Sequence, residues 1–109
     1  GSETRGLVDA AVLEALGPMG IVVNVARGSV VDAVALAEAL RAGTIAGAGL
    51  DVFDDEPTVP PVLIEAPNCV LTPHLGSATD AARAAMAALV LENIAAHVAG
   101  RPLPTPYEG

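Results

Sequence analysis

Ile21-Val-Val-Asn-Val-Ala-Arg-Gly28 is the stretch whose reading sets the fold. Its first five residues are mostly β-branched, lie between Gly20 and Gly28, and do not alternate apolar with polar. That pattern predicts a short strand over Ile21–Val25 that is buried on both faces. Downstream, Val31 to Ala42 repeats Val34, Leu36, Ala37 and Leu40 at helical spacing and meets Gly43, a residue favoured just past a helix end. A strand of small residues is expected over Ala46–Val52, then an acidic loop over Asp54–Pro61 that holds three prolines. One helical turn over Val62–Ala66 and a third strand over Cys69–Thr72 complete this part.

Upstream, Asp9 to Leu16 places Val12, Leu13 and Leu16 on one helical face, and Gly17-Pro18 stops it. Ser77-Ala-Thr-Asp80 resembles a capping box with Asp in place of Glu, opening a helix to about Val98 with Met86, Leu89, Val90 and Ile94 on one face. The order is helix, strand, helix, strand, loop, strand, helix. Strands alternating with helices predict an α/β fold with a parallel sheet. Three strands alone would leave both sheet edges unpaired, so the pattern points to half of a larger doubly wound domain.

Composition narrows the function classes. The 109 residues leave room for one small domain. Apolar residues make up 52% of the chain, but 22 of them are Ala, so each buries little area. The formal charge of −8, with no Lys, argues against nucleic acid and against an anionic membrane as partners. The single Cys69 cannot form an internal disulfide and reads as a small buried hydrophobe. No uninterrupted apolar run reaches about 18 residues and no signal peptide opens the chain, so a soluble, cytoplasmic protein is expected. Gly1-Ser2 reads as a tag scar, and the proline-rich end after residue 98 as an extended tail.

The best match to a dinucleotide-binding glycine motif is Gly47-Ala-Gly49-Leu-Asp-Val52. It lacks the third glycine and runs into a strand, so it reads as small-residue packing and supplies no pyrophosphate cradle. Three polar islands stand out instead. The first strand ends in Val25-Ala-Arg27-Gly28, the second in Asp51-Val-Phe-Asp-Asp-Glu56, and the third in Thr72-Pro-His74-Leu-Gly76. In open α/β sheets, ligands bind outside the carboxyl ends of the strands. Each island has a plain explanation by itself: a solvated turn arginine, an acidic loop, a histidine after a proline. Their coincidence at neighbouring strand ends has a chemical logic. An arginine fork matches a carboxylate, a histidine donates a proton near neutral pH, and a carboxylate orients the ring. Together they suit a 2-oxo acid whose carbonyl oxygen is protonated as hydride reaches carbon. His97, near the end of the last helix, suits the helix dipole, and Asp54 and Asp55 read as solvated charges.

At Glu3-Thr-Arg-Gly-Leu7, Asn24-Val-Ala-Arg-Gly-Ser-Val-Val-Asp32, Ala46-Gly-Ala-Gly-Leu-Asp-Val-Phe53, Glu56-Pro57 and Leu71-Thr-Pro-His-Leu-Gly-Ser77 the sequence resembles the D-isomer-specific 2-hydroxyacid dehydrogenases. The resemblance covers residues 3–107. It implies the C-terminal half of a Rossmann-type doubly wound parallel sheet, about three strands with flanking helices, forming an incomplete domain. It divides the chain into a scar at 1–2, the C-terminal part of an NAD(P)-binding domain at 3–76, a long helix at 77–98 leading back toward an absent substrate domain, and a tail at 99–109. It implies Arg27 as clamp for the substrate carboxylate, His74 as acid/base, and Glu56 as partner of His74. It further implies Asp51 at the nicotinamide carboxamide, and Val25, Ala26 and Gly76 against the nicotinamide, with Arg27 and His74 also near the cofactor; no metal is implied. Capping of the loop by Asp51 and close packing at Val25, Ala26 and Gly76 remain the plain alternatives. The implied cofactor is NAD or NADP, and the substrate a small 2-oxo or 2-hydroxy acid of the glyoxylate/hydroxypyruvate type. A phosphoglycerate dehydrogenase piece and a non-catalytic, self-associating half-domain are the alternatives. The family chain is about three times this length, so the 109 residues alone are expected to be inactive. The longer protein is expected to be a homodimer, and the uncovered edge of the first strand to make this chain self-associate.

Overall fold

The computed structural model describes residues 1–107. The chain forms two compact units, Gly1–Gly76 and a second that begins at Ser77. In the first, the elements are α1 (Ala10–Leu16), β1 (Ile21–Asn24), α2 (Ala33–Ala42), β2 (Gly47–Leu50), α3 (Pro61–Ile64) and β3 (Cys69–Leu71). The strands form one parallel sheet in the order β1-β2-β3, in register Asn24–Leu50 and Leu50–Leu71 at their carboxyl ends. The parallel α/β expectation therefore holds, with strand ends one or two residues tighter than the sequence pattern suggests.

Local chemistry sets the helix ends. The Asp9 carboxylate accepts from the Val12 N–H, and Asp32 from the N–H groups of Val34 and Ala35, satisfying donors that a first turn leaves open. Gly43 closes α2 in the left-handed conformation at φ 72°, where a Cβ would be strained. The helices pack on one sheet face, around Leu13, Leu36, Leu40, Ile45, Leu50 and Leu63, all buried. Of the apolar positions expected inward on the first two helices, Val12, Leu16 and Val34 are exposed.

The other sheet face departs from the expectation of burial on both sides. Ile21, Val23 and Val70 are 65%, 69% and 66% exposed, because α1, α2 and α3 cover only the face carrying Ala48 and Leu50. The continuous apolar run of β1 is thus one covered face and one bare one.

In the second unit, α4 (Asp80–Val98) starts at Thr79, whose hydroxyl accepts from the Ala82 N–H. Thr79 is the cap and Asp80 the first helical residue, so the expected box from Ser77 to Asp80 does not form. Met86, Leu89, Val90 and Ile94 are exposed. By length and composition α4 is apolar enough to cross a membrane, although Arg83 and Glu92 interrupt its apolar run. After Gly100 (φ 68°) the chain turns back, and the Asn93 carboxamide bonds both the hydroxyl and the N–H of Thr105. Of the tail assigned to 99–109, residues 108–109 lie outside the described residues.

Candidate active site

Because the strands are parallel, the segments after Asn24, Leu50 and Leu71 leave the sheet on one edge. That edge receives Arg27, the run Asp51–Glu56, and His74. The second and third are joined directly. His74 Nδ1 lies 2.7 Å from Glu56 Oε2, while Glu56 Oε1 accepts from the Phe53 N–H at 3.0 Å. Both carboxylate oxygens are engaged, and the bonds from His74 and then Phe53 hold the Glu56 carboxyl below the usual carboxylate range. An ionised carboxylate only accepts, so the Nδ1 proton points at Glu56 and Nε2 faces away from it. The imidazole is half exposed.

Among the described residues, His74 is one of two non-glycine residues with positive φ, at 57°. That backbone costs about 1–2 kcal/mol for an L-residue. Asp51 holds the segment in this shape. Its Oδ1 accepts from the Thr72 hydroxyl at 2.6 Å and the Leu75 N–H at 2.7 Å, and its Oδ2 from the Gly76 N–H at 2.8 Å. These donors flank His74 on both sides. The Asp51 carboxyl is held low by the same bonds, that from Thr72 first, although the residue is buried. A Cβ on Gly76 would sit 3.1 Å from Asp51 Oδ2, close enough that the carboxylate would have to shift slightly. The loop-capping alternative for Asp51 thus describes a bond set that is present, and Oδ2 retains acceptor capacity for one further donor.

Arg27 is exposed and follows β1 on the same edge, with its Nη1 bonded to the Ala26 carbonyl at 2.7 Å. Its remaining N–H groups have no partner among the described residues. No hydrogen bond joins it to Glu56 or His74. Its loop is nevertheless seated against theirs: a Cβ on Gly28 would overlap the backbone of Phe53 and Asp54. Val25 is 66% exposed and Ala26 is exposed, so both offer surface at the end of β1.

A cavity of about 280 Å³ opens beside the His74–Glu56 pair, lined by Phe53, Pro57, Leu71 and Pro73 among others. Arg27 is not in its wall. The Glu56–Pro57 peptide on this rim is cis. Among the described residues, no group of three His, Cys, Asp or Glu side chains is placed to hold a metal ion.

Three participants were not singled out from sequence: Thr72, the Phe53 N–H, and Asn24. Thr72 and Phe53 carry no signal alone, since their roles arise from tertiary contact. Asn24 offered one: a polar side chain among β-branched residues at a strand end, where it is buried at 6% exposure.

Comparison with known proteins now adds its findings. Residues 1–76 match the sequence profile of the NAD binding domain of D-isomer specific 2-hydroxyacid dehydrogenases. The chain is 48% identical over 104 residues to hydroxyphenylpyruvate reductase of Plectranthus scutellarioides, covering 95% of this chain and 33% of that protein. It is 50% identical over 103 residues to glyoxylate reductase of Pyrococcus furiosus, covering 94% of this chain and 31% of that protein. Among solved structures it resembles the NADPH-dependent glyoxylate/hydroxypyruvate reductase of Sinorhizobium meliloti in complex with NADP and malonate. There the TM-score is 0.92 at 49% identity, covering 99% of this chain and 34% of that one. The chain spans about a third of the length of the curated relatives it matches.

Proposed function

Because the chain belongs to the D-isomer specific 2-hydroxyacid dehydrogenase family, we propose that its sheet edge is the acid/base half of an oxidoreductase that reduces a small 2-oxo acid to the D-2-hydroxy acid. The observation that carries this reading is the 2.7 Å His74–Glu56 pair at the carboxyl edge of a parallel sheet. We assign residues 3–76 to the cofactor domain, 77–98 to the helix returning toward a substrate domain, and 99–109 to the tail.

The fit to a dinucleotide differs between its two ends. The exposed Val25 and Ala26 offer an apolar wall, and the spare acceptor capacity of Asp51 Oδ2 suits a carboxamide N–H. Gly76 lets that carboxylate approach the loop closely. The pyrophosphate end finds no glycine-rich strand-to-helix turn here, and a chain with charge −8 and no Lys offers it little attraction. The residues present thus suit the nicotinamide end, and NAD or NADP is the cofactor we assign. When bound, it supplies the hydride.

The chain's own groups supply the rest. Arg27 presents its free N–H groups to the substrate carboxylate as a fork and fixes the carbonyl's orientation. His74 Nε2 gives its proton to the carbonyl oxygen, leaving a neutral ring whose proton stays on Nδ1 and is donated in the hydrogen bond to Glu56. Glu56 fixes that tautomer and the orientation of the ring. Asp51, through Thr72, Leu75 and Gly76, holds the segment on which the ring rides. Substrates of the glyoxylate/hydroxypyruvate type fit the reductases this chain resembles. A soluble, cytoplasmic, homodimeric protein is the setting we assign, without nucleic acid or membrane partners.

In a polypeptide joining these residues to a substrate domain, His74→Ala is expected to lower kcat for glyoxylate about 10²–10⁴-fold. Near-normal turnover in that variant removes the mechanism. The 109 residues alone are expected to show no detectable dehydrogenase activity and weak or absent binding in a calorimetric titration with NADH. Micromolar affinity there overturns the account of the missing phosphate end.

A further inference from the structure

We propose that Asn24 is a positioning residue for Arg27, an inference that rests on Arg27 as the carboxylate clamp. Asn24 and Asp51 are the buried polar side chains of the described core, at 6% and 7% exposure, and both stand where a strand meets its loop. Asp51 spends its carboxylate on the segment carrying His74. Asn24 does the equivalent for Arg27.

The geometry is specific to a carboxamide. Asn24 Oδ1 accepts from the Ala26 N–H at 3.1 Å, and Asn24 Nδ2 donates to the Arg27 carbonyl at 2.9 Å. The side chain thus closes a turn over the residues that lead to the guanidinium, pairing the Ala26 N–H and adding a donor to the Arg27 carbonyl, which also accepts from the Val30 N–H at 3.2 Å. Aspartate keeps the first bond, but its second oxygen would face the Arg27 carbonyl as acceptor against acceptor. Alanine loses both bonds. The turn is fixed to the sheet from below, since the Asn24 carbonyl accepts from the Asp51 N–H at 3.0 Å. It is fixed beyond Arg27 as well, where Gly28 lies against the Phe53–Asp54 backbone. The Arg27 guanidinium makes one bond among the described residues, to the Ala26 carbonyl, so its direction depends on the backbone that Asn24 helps to hold.

The test is a kinetic cycle on the joined dehydrogenase, with glyoxylate as substrate and NADPH saturating. Arg27→Ala is expected to raise the KM for glyoxylate at least about tenfold. Asn24→Ala is expected to raise it by a similar factor with kcat within about twofold, and to add nothing in the Asn24→Ala/Arg27→Ala double variant. Asn24→Ser, whose hydroxyl reaches the Ala26 N–H but not the Arg27 carbonyl, should restore part of the loss. It also carries the cycle if Asn24→Ala does not fold. An unchanged KM in Arg27→Ala refutes the clamp and this inference with it. A raised KM in Arg27→Ala, together with an Asn24 effect that falls on kcat alone or multiplies in the double variant, refutes this inference and leaves the clamp standing.

Discussion

Gly28→Ala isolates the contact that seats the Arg27 loop on the loop bearing Glu56. Gly28 does not use the left-handed region, so alanine can adopt its backbone and the penalty is steric. The added Cβ overlaps the Phe53 carbonyl group and the Asp54 nitrogen, which are main-chain atoms that cannot rotate away. Overpacking typically costs about 1–3 kcal/mol, and a backbone obstacle places this case at the upper end. Removing a glycine restores about 0.4–1 kcal/mol by restricting the unfolded chain. The net expectation is a loss of about 2 kcal/mol. With a urea m-value of about 1–2 kcal/mol/M, the midpoint should fall by about 1–2 M at unchanged m. Gly49→Ala is the internal control, because nothing lies within 4 Å of its Cβ position and its φ is not positive. That variant should be neutral or slightly more stable. Urea unfolding of both decides: a Gly28→Ala midpoint equal to that of Gly49→Ala would refute the close seating of the two loops.

Two further outcomes follow from the same contacts. The folded Glu56 carboxyl titrates below its unfolded value, so its bonds to His74 and Phe53 contribute stability above the ordinary Glu value of about 4.3 and lose it as pH falls through the lower folded value. Urea midpoints of the chain and of Glu56→Gln should therefore differ at pH 6 and converge toward pH 3; a gap that widens on acidification contradicts this sign. The bare apolar face of Ile21, Val23 and Val70 should make the chain associate with concentration, and Val23→Lys should suppress it, as measured by light scattering. A chain that scatters as a monomer at all concentrations defeats that expectation.

The parallel sheet was legible because β-branched residues, helix caps and Gly43 agree with one another along the chain. The strand-end rule then placed Arg27, Glu56 and His74 on one edge, and the His74–Glu56 bond follows once Glu56 and His74 end neighbouring strands. Three things were not legible. An apolar run such as Ile21–Val25 reads alike whether one or both faces are covered, since coverage depends on helices elsewhere in space. The cap of α4 was expected at Ser77 and lies at Thr79, because either hydroxyl can start a helix and backbone direction selects between them. The set of donors on Asp51 comes from a β3 loop more than twenty residues away, and no local pattern encodes it.

The charge balance of the edge gives these supports a chemical meaning. Asp51 and Glu56 are both held below the usual carboxylate range by short bonds, so the edge carries two fixed negative charges at neutral pH. An anionic 2-oxo acid entering such a place is repelled unless positive charge is presented first. Arg5 is committed to Asp54 through paired bonds of 2.8 and 3.2 Å, and Arg41 lies in the last turn of α2, where it bonds the Val62 carbonyl. Among the described residues, Arg27 is the arginine on this edge with N–H groups to spare. The carboxylates cannot readily take up a proton, because hydrogen bonds already favour their charged forms. In the proposed reduction, proton movement at this edge falls to the imidazole, whose Nε2 is the ring nitrogen not committed to Glu56. An edge with Asp51 and Glu56 free to titrate would share protons among three groups; the bonds from Thr72, Leu75, Gly76 and Phe53 restrict the exchange to one.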